Sequence, residues 1–191
     1  MSELILIIVS AALVNNLVLT QLLGAAQVLV AADRFNHALS LSLLSSIVLI
    51  SSTMINYLID ISILQPAGIT AIRLVIFIVI IGLHVMLLEA VLRWRWHLLH
   101  RQLGLNLLLV TANTGVLGTS LLIVVGDGDL IDTLGFAVGS AAGFSLVMLM
   151  FSAMQDRVNS AAVPLPFQGA AISIISAGLM ALGFMGFVGL I

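Results

Sequence analysis

Cysteine is missing from all 191 residues and so is lysine, the six basic side chains all being arginines. A chain without thiols forms no disulfide and offers no thiolate to zinc or to an ordinary iron–sulfur cluster. Charge of either sign is scarce, at 7% of residues, and the net charge of −2 comes with no basic run of the kind that grips nucleic acid. Also missing are a Ser-His-Asp order, an H-E-x-x-H helix, a phosphate loop and a dinucleotide fingerprint, so catalysis of the soluble-enzyme kind has no support. What is present instead is hydrocarbon. With 62% hydrophobic residues and a mean hydropathy of +1.30, the chain has too little polar surface to coat a soluble globule of its size. It reads as an integral membrane protein, with the lipid bilayer as its solvent.

The apolar residues form six runs, near 4–24, 38–59, 70–92, 103–125, 131–153 and 168–190, each close to the roughly 20 residues a helix needs to cross the hydrocarbon core. Between them lie Asp33 to His37, Gln65-Pro66-Ala67-Gly68, Arg93 to Gln102, Gly126 to Asp129, and Asp156 to Gln168 with Pro164 and Pro166. These are rich in the charges and backbone punctuation that end helices. The N-terminus lacks a basic n-region and a convincing cleavage site, so the first run is expected to be a retained helix. No long linker divides the chain, and residues 1–191 are expected to form a single integral membrane domain. The fold class expected is an all-α membrane protein with six transmembrane helices as two inverted three-helix repeats, about 1–96 and 97–191. An odd number of crossings forces a second copy of the unit to enter the membrane from the opposite side.

Arginines favour cytoplasmic loops. Arg34, Arg93, Arg95, Arg101 and Arg157 fall in loops one, three and five, and only Arg73 lies near an even-numbered loop. Both termini are therefore expected outside, together with the acidic loop of Asp127, Asp129 and Asp132. Trp94 and Trp96 interleave with Arg93, Arg95 and His97, a composition suited to an anchor where rings sit among headgroups and guanidiniums reach phosphates.

Two runs are interrupted. In Leu105–Leu122 the cluster Thr111, Asn113, Thr114, Gly115 and Gly118 breaks the apolar sequence, and Asn15, Asn16 and Gly24 do the same near the N-terminus. Hydrocarbon tolerates irregular backbone only where it is buried in protein or lines a polar cavity. Interrupted segments at corresponding places in two halves point to a transport or transfer site at mid-membrane. Its expected lining is Asn15, Asn16, Gly24, Asn113, Thr114, Gly115 and Gly118, with helices one and four broken there. Other polar residues have plainer readings. His84, inside the third run, is an ionisable group in a membrane helix and so a functional candidate, against the alternative of a neutral imidazole bonded to a carbonyl or a facing serine. Glu89 precedes Arg93 by four residues, the spacing of a helical ion pair. Asp127, Asp129 and Asp132 lack the closing glutamate of a calcium loop and read as a solvated turn. Ser40, Ser42, Ser45, Ser46, Ser51 and Ser52, and the pair Gly139 and Gly143, read as small-residue packing faces.

Further stretches carry a resemblance: Leu13-Val14-Asn15-Asn16-Leu17-Val18-Leu19 with Leu23-Gly24, Ile59-Asp60, Asn113 with Val116-Leu117-Gly118, and Gly143-Phe144-Ser145-Leu146-Val147-Met148. To these add Val163-Pro164-Leu165-Pro166-Phe167 and Ala177-Gly178-Leu179-Met180 through Phe184-Met185-Gly186-Phe187. In collinear order over nearly the whole chain, they resemble the A-type membrane component of the Rnf ion-translocating ferredoxin:NAD oxidoreductase, to which the E-type component of the sodium-pumping NADH:quinone reductase is similar. The resemblance implies a six-helix, multi-pass subunit of the bacterial inner membrane, whose termini the arginine distribution expects on the periplasmic side. It also implies a pseudo-symmetric partner in a sister six-helix subunit, further Rnf-type membrane and peripheral subunits, and a complex that couples electron flow to ion movement. FMN and iron–sulfur clusters are then expected elsewhere in the complex, and none bound by this chain alone.

The chain departs from that family at its most specific point. The family carries one cysteine in each interrupted helix, and with two from the sister subunit these bind an iron–sulfur cluster at mid-membrane. Here Ala26 and Thr114 stand in those places, and Gln168 replaces the usual arginine after Pro-Phe. Alanine offers no ligand, and a threonine hydroxyl is a poor substitute for a soft thiolate. Two functions follow: a membrane subunit of an Rnf-type complex with the cluster ligands missing, or a cluster-free relative acting as a scaffold, assembly subunit or small transporter. Neither assigns this chain a catalytic residue of its own.

Overall fold

The computed structural model describes residues 2–31, 35–95, 110–111, 113–126, 128–187 and 189. All regular structure among them is helical. Helix α1 (Ser2–Val9) runs into a π-helical turn, Ser10–Val14; then come α2 (Leu17–Gln21), α3 (Ala25–Ala31) and α4 (Phe35–Ile59), which ends in a second π turn at Asp60–Leu64. After a 3-10 turn at Thr70–Ile72 follow α5 (Arg73–Arg95), α6 (Thr114–Val125), α7 (Leu130–Asn159) and, past the 3-10 turn Leu165–Phe167, α8 (Ala170–Met185). Among the described residues three helical stretches are long and apolar enough to cross a membrane: Phe35–Leu64, Thr70–Arg95 and Leu130–Asn159. They answer to the second, third and fifth apolar runs. The first run is cut into pieces and extends to Ala31, the sixth forms the shorter α8, and residues 103–109 of the fourth lie outside the described residues. So do Asp33, Arg34, Trp96, His97, Arg101 and Asp127 of the loops.

Helix ends follow local chemistry. Asp129 caps α7 in a capping box: its side chain accepts from the Asp132 backbone, and the Asp132 carboxylate accepts from Asp129 N–H at 3.3 Å. That reciprocal arrangement satisfies two otherwise orphaned donors. At the other end α7 stops at Ser160, before the prolines Pro164 and Pro166, which cannot continue a helix.

Side-chain links fix the directions of the helices. Ser46 meets Ser145 at 2.7 Å and Tyr57 donates to the Gly128 carbonyl at 2.9 Å, so α4 and α7 run antiparallel. Ser51 meets His84, and Asp60 meets Arg73, so α5 returns antiparallel to α4. The connections after α4 and after α6 therefore lie at one end of the bundle. The exposed ends of α5 and α7, with Arg93, Arg95 and Arg157, lie at the other.

The most extensive pairing is α4 with α7, around a core that includes Leu41, Val48, Leu49, Phe144, Val147 and Phe151. In a membrane, burial of such groups gains little over lipid, and close van der Waals fit holds helices together. The fit is close where α1 and its π turn lie on α7, and there Gly135, Gly139 and Gly143 recur every fourth residue. A Cβ at Gly139 would stand 2.6 Å from the Ile8 carbonyl oxygen and 2.8 Å from Ala11 Cβ. One at Gly143 would stand 2.7 Å from the Ala12 oxygen and 2.8 Å from Asn16 Nδ2. The obstacles at these two positions include backbone, which cannot swing aside. The glycines thus seat α1 and the first break against α7, a seam of which the pair Gly139 and Gly143 was expected and Gly135 was not.

Candidate functional site

Both breaks are built the same way. Asn16, buried, has φ −63° and ψ 114°, and its Oδ1 accepts from Val18 N at 3.1 Å and Leu19 N at 3.4 Å, starting α2. Asn113, also buried, has φ −73° and ψ 107°, and its Oδ1 accepts from Gly115 N at 2.8 Å, starting α6. Each asparagine replaces the hydrogen bonds lost where the helix restarts. Asn16 is held further by donating to the Ala12 carbonyl at 2.8 Å. Asn15 is exposed, its backbone N–H returning to the Ser10 carbonyl at 2.7 Å.

The N-terminal segment breaks a second time. Leu22 closes α2 with φ 59°, a left-handed conformation rare for a side chain that branches, and Gly24 follows at φ 78°. Gly24 is needed on two counts. Its φ favours glycine, and a Cβ there would lie 2.8 Å from both Asn113 Oδ1 and Phe144 Cε2. Gly118 makes room in turn for Leu23, whose Cδ1 would overlap a Cβ at that position. Across the gap the Gly24 N–H donates to Thr114 Oγ1 at 2.9 Å, joining residues 90 apart in sequence. The structure thus brings Asn113, Thr114, Gly115 and Gly118 directly onto the Leu23–Gly24 break. Asn16 and Asn15 stand one short helix away, at the other end of α2.

Ala26 and Thr114 are both exposed on this chain, as is Leu22. An apolar cavity of about 220 Å³ opens beside the break, lined by Val18, Leu22, Ala25, Phe151, Ala177 and Met180 among others. A largely apolar cleft of about 430 Å³ lies on the Asn15 side, with Gln21, Leu122, Asp132 and Phe136 in its wall.

The donors at the break do not fit an iron–sulfur cluster. Such a cluster needs soft ligands, four in the usual case; Ala26 has no donor atom, and the Thr114 hydroxyl already accepts from Gly24. Among the described residues no group of three His, Asp or Glu side chains gathers at one point. His84 lies apart, its Nε2 2.8 Å from Ser51 Oγ, the facing-serine arrangement. Because Ser51 Oγ also lies 2.6 Å from the Ile47 carbonyl and donates there, it accepts from the imidazole. Glu89 pairs with Arg93 at 2.9 Å on an exposed helix face. Sequence reasoning named Asp60 and Arg73 separately but missed their pairing: Asp60, with 0% exposure, takes Arg73 Nε at 2.5 Å and Nη2 at 3.1 Å, and Gln65 Nε2 at 2.8 Å.

The family described as "Rnf-Nqr subunit, membrane protein" matches residues 4–191. The A-type component of the ion-translocating oxidoreductase complex of Aliivibrio salmonicida is 41% identical over 191 residues, covering 100% of this chain and 99% of that protein. The component of the same name from Shewanella baltica is 41% identical with 100% of both chains covered, and that from Aliivibrio fischeri is 40% identical with 100% of this chain and 99% of that protein covered.

Proposed function

The chain belongs to the Rnf-Nqr family of membrane subunits, and from that premise we propose that it packs its broken-helix face against a sister subunit within an Rnf-type ion-translocating oxidoreductase complex, without contributing ligands to a metal centre. The observation that carries this reading is the Gly24–Thr114 hydrogen bond. It ties the two breaks together with a neutral contact at the place where the family uses thiolates. The exposed Leu22, Ala26 and Thr114 around it then supply the partner surface, where glycines allow close backbone approach. In this reading the halves are inverted copies, and their matching Asn16 and Asn113 caps support it. Electron carriers and FMN reside in other subunits, and ion movement is coupled to them through the assembly. A tagged chain expressed at native level should co-purify with other subunits of the complex, and cysteines introduced at Ala26 or Thr114 should cross-link to one of them. Purification of the chain alone, with no cross-link from either position, would favour the isolated scaffold or transporter.

We place both termini on the periplasmic side of the inner membrane. Support comes from the described arginines: Arg93, Arg95 and Arg157 are exposed at one end, whereas among the described residues Arg73 alone lies at the other. Reporter fusions after Asp129 should be active in the periplasm and those after Arg95 in the cytoplasm; the opposite pattern reverses the orientation.

A further inference from the structure

One face of α4 is polar where it is most deeply buried. Ser45, Ser52, Thr53 and Asn56 each have 0% exposure, and from Ser45 to Asn56 they span about 16 Å at the rise of an α-helix. The neighbouring helix α6 turns Thr119 and Ser120, also at 0% exposure, into the same interior. The two helices run in the same direction, and cross-links mark two rungs. Near the outer-loop end, Asn56 Nδ2 donates to Ser120 Oγ at 3.0 Å, and Ser120 Oγ lies 3.4 Å from Thr53 Oγ1. Near the break, Gln27 Nε2 donates to Ser45 Oγ at 2.7 Å, while Asn113 caps α6 beside Gly24.

At both rungs polar atoms are left over. Asn56 Oδ1 and Ser52 Oγ at the first, and Gln27 Oε1 and Asn113 Nδ2 at the second, find no partner among the described residues. Their residues are all less than 5% exposed. An amide oxygen in a helix bundle without a donor is costly, and native interiors resolve the cost with ordered water that bonds about two to four polar groups. Serine hydroxyls could satisfy themselves on their own helix, as Ser46 and Ser51 do, but an amide carbonyl oxygen has no such recourse. Above Asn56 a cavity of about 250 Å³, with Tyr57, Gln65, Gly128 and Asp129 in its wall, offers the supply.

We propose that the groove between α4 and α6 is a hydration site: water bonded to Asn56 Oδ1, Ser52 Oγ, Gln27 Oε1 and Asn113 Nδ2 forms a hydrophilic lane from the outer cavity to the helix breaks. The ligand is water because every group in the lane is neutral, and of the nearby carboxylates among the described residues Asp60 is held by Arg73 and Gln65 and Asp129 is engaged in capping α7. The lane does not depend on the identity of any partner.

The absence of native cysteine makes a clean test possible. The substitutions Ser52→Cys and Ser120→Cys, with Leu41→Cys as an equally buried apolar reference on α4 outside the span from Ser45 to Asn56, are made in the full chain, reconstituted in lipid vesicles and exposed to silver nitrate. Unfolding, alkylation and mass spectrometry then count the thiols that silver has blocked. Silver reacts with thiolate, which forms only where water solvates it, so both lane positions should be blocked at least about tenfold faster than the reference. Equal rates at all three positions would overturn the lane. A water-resolving experimental map of the unmodified chain decides independently of these variants. Density within hydrogen-bonding distance of Asn56 Oδ1 is expected, and Asn56 Oδ1 paired instead to a protein donor would refute the proposal.

Discussion

Replacing Arg73 with alanine should lower the stability of the fold by about 3–5 kcal/mol, the cost of leaving one partner of a buried ion pair uncompensated. Asp60 is fully enclosed, and three of its hydrogen bonds come from two side chains, Arg73 and Gln65. The guanidinium engages both carboxylate oxygens through Nε and Nη2, a planar fork that lysine cannot reproduce. Because the Arg73 side chain keeps 20% exposure, water relieves some of the loss and the lower end of the range is expected. The pair sits where α4 unwinds into its π turn and the chain reverses into α5, so its loss also frees that reversal. Asp60→Leu combined with Arg73→Met should recover most of the stability, since removing both charges also removes the desolvation penalty. Denaturant unfolding in detergent, followed by helical circular dichroism, checks this. A single substitution no more harmful than the double one would show that the pair does not hold the turn.

The two breaks were legible because their chemistry is local. Asparagine before an apolar restart is a helix cap, and Asn16 and Asn113 act as such. The i,i+4 spacing of Glu89 and Arg93 and the serine facing His84 were legible for the same reason. What escaped was set by the fold. Asp60 and Arg73 meet only because the chain reverses between them, and Gly24 meets Thr114 across 90 positions. Ser45 and Ser52 read as packing surface, since small hydroxyl residues suit close helices equally well whether or not they are joined to amides. The interior position of Gln27 and Asn56 supplies that distinction. The first run was expected to end near Gly24, yet α3 continues to Ala31: Gly24 turns the chain at φ 78° and a new helix begins at once.

The second large effect is all or none and concerns iron. The resemblance leads one to expect thiolates where the broken helices meet, whereas here the Thr114 hydroxyl receives the Gly24 N–H and Ala26 offers no donor. A neutral oxygen engaged in a hydrogen bond does not hold iron of a sulfur cluster. The breaks are therefore held by capping, by glycine-permitted contact and by that one bond across the gap. Thr114→Val keeps the shape of the side chain and deletes the hydroxyl, so it should loosen this tie slightly, by about 0.5–1.5 kcal/mol. It should leave every metal centre of the complex as it was.

The most direct measurement is iron per complex, with the paramagnetic resonance spectrum after reduction, on the purified native assembly and on the same assembly carrying Thr114→Val, with co-purification confirming that both are intact. Identical iron content and identical spectra are predicted. An iron–sulfur signal present in the native complex and lost on Thr114→Val would contradict the account, by showing that this chain holds a cluster through the threonine at the helix break.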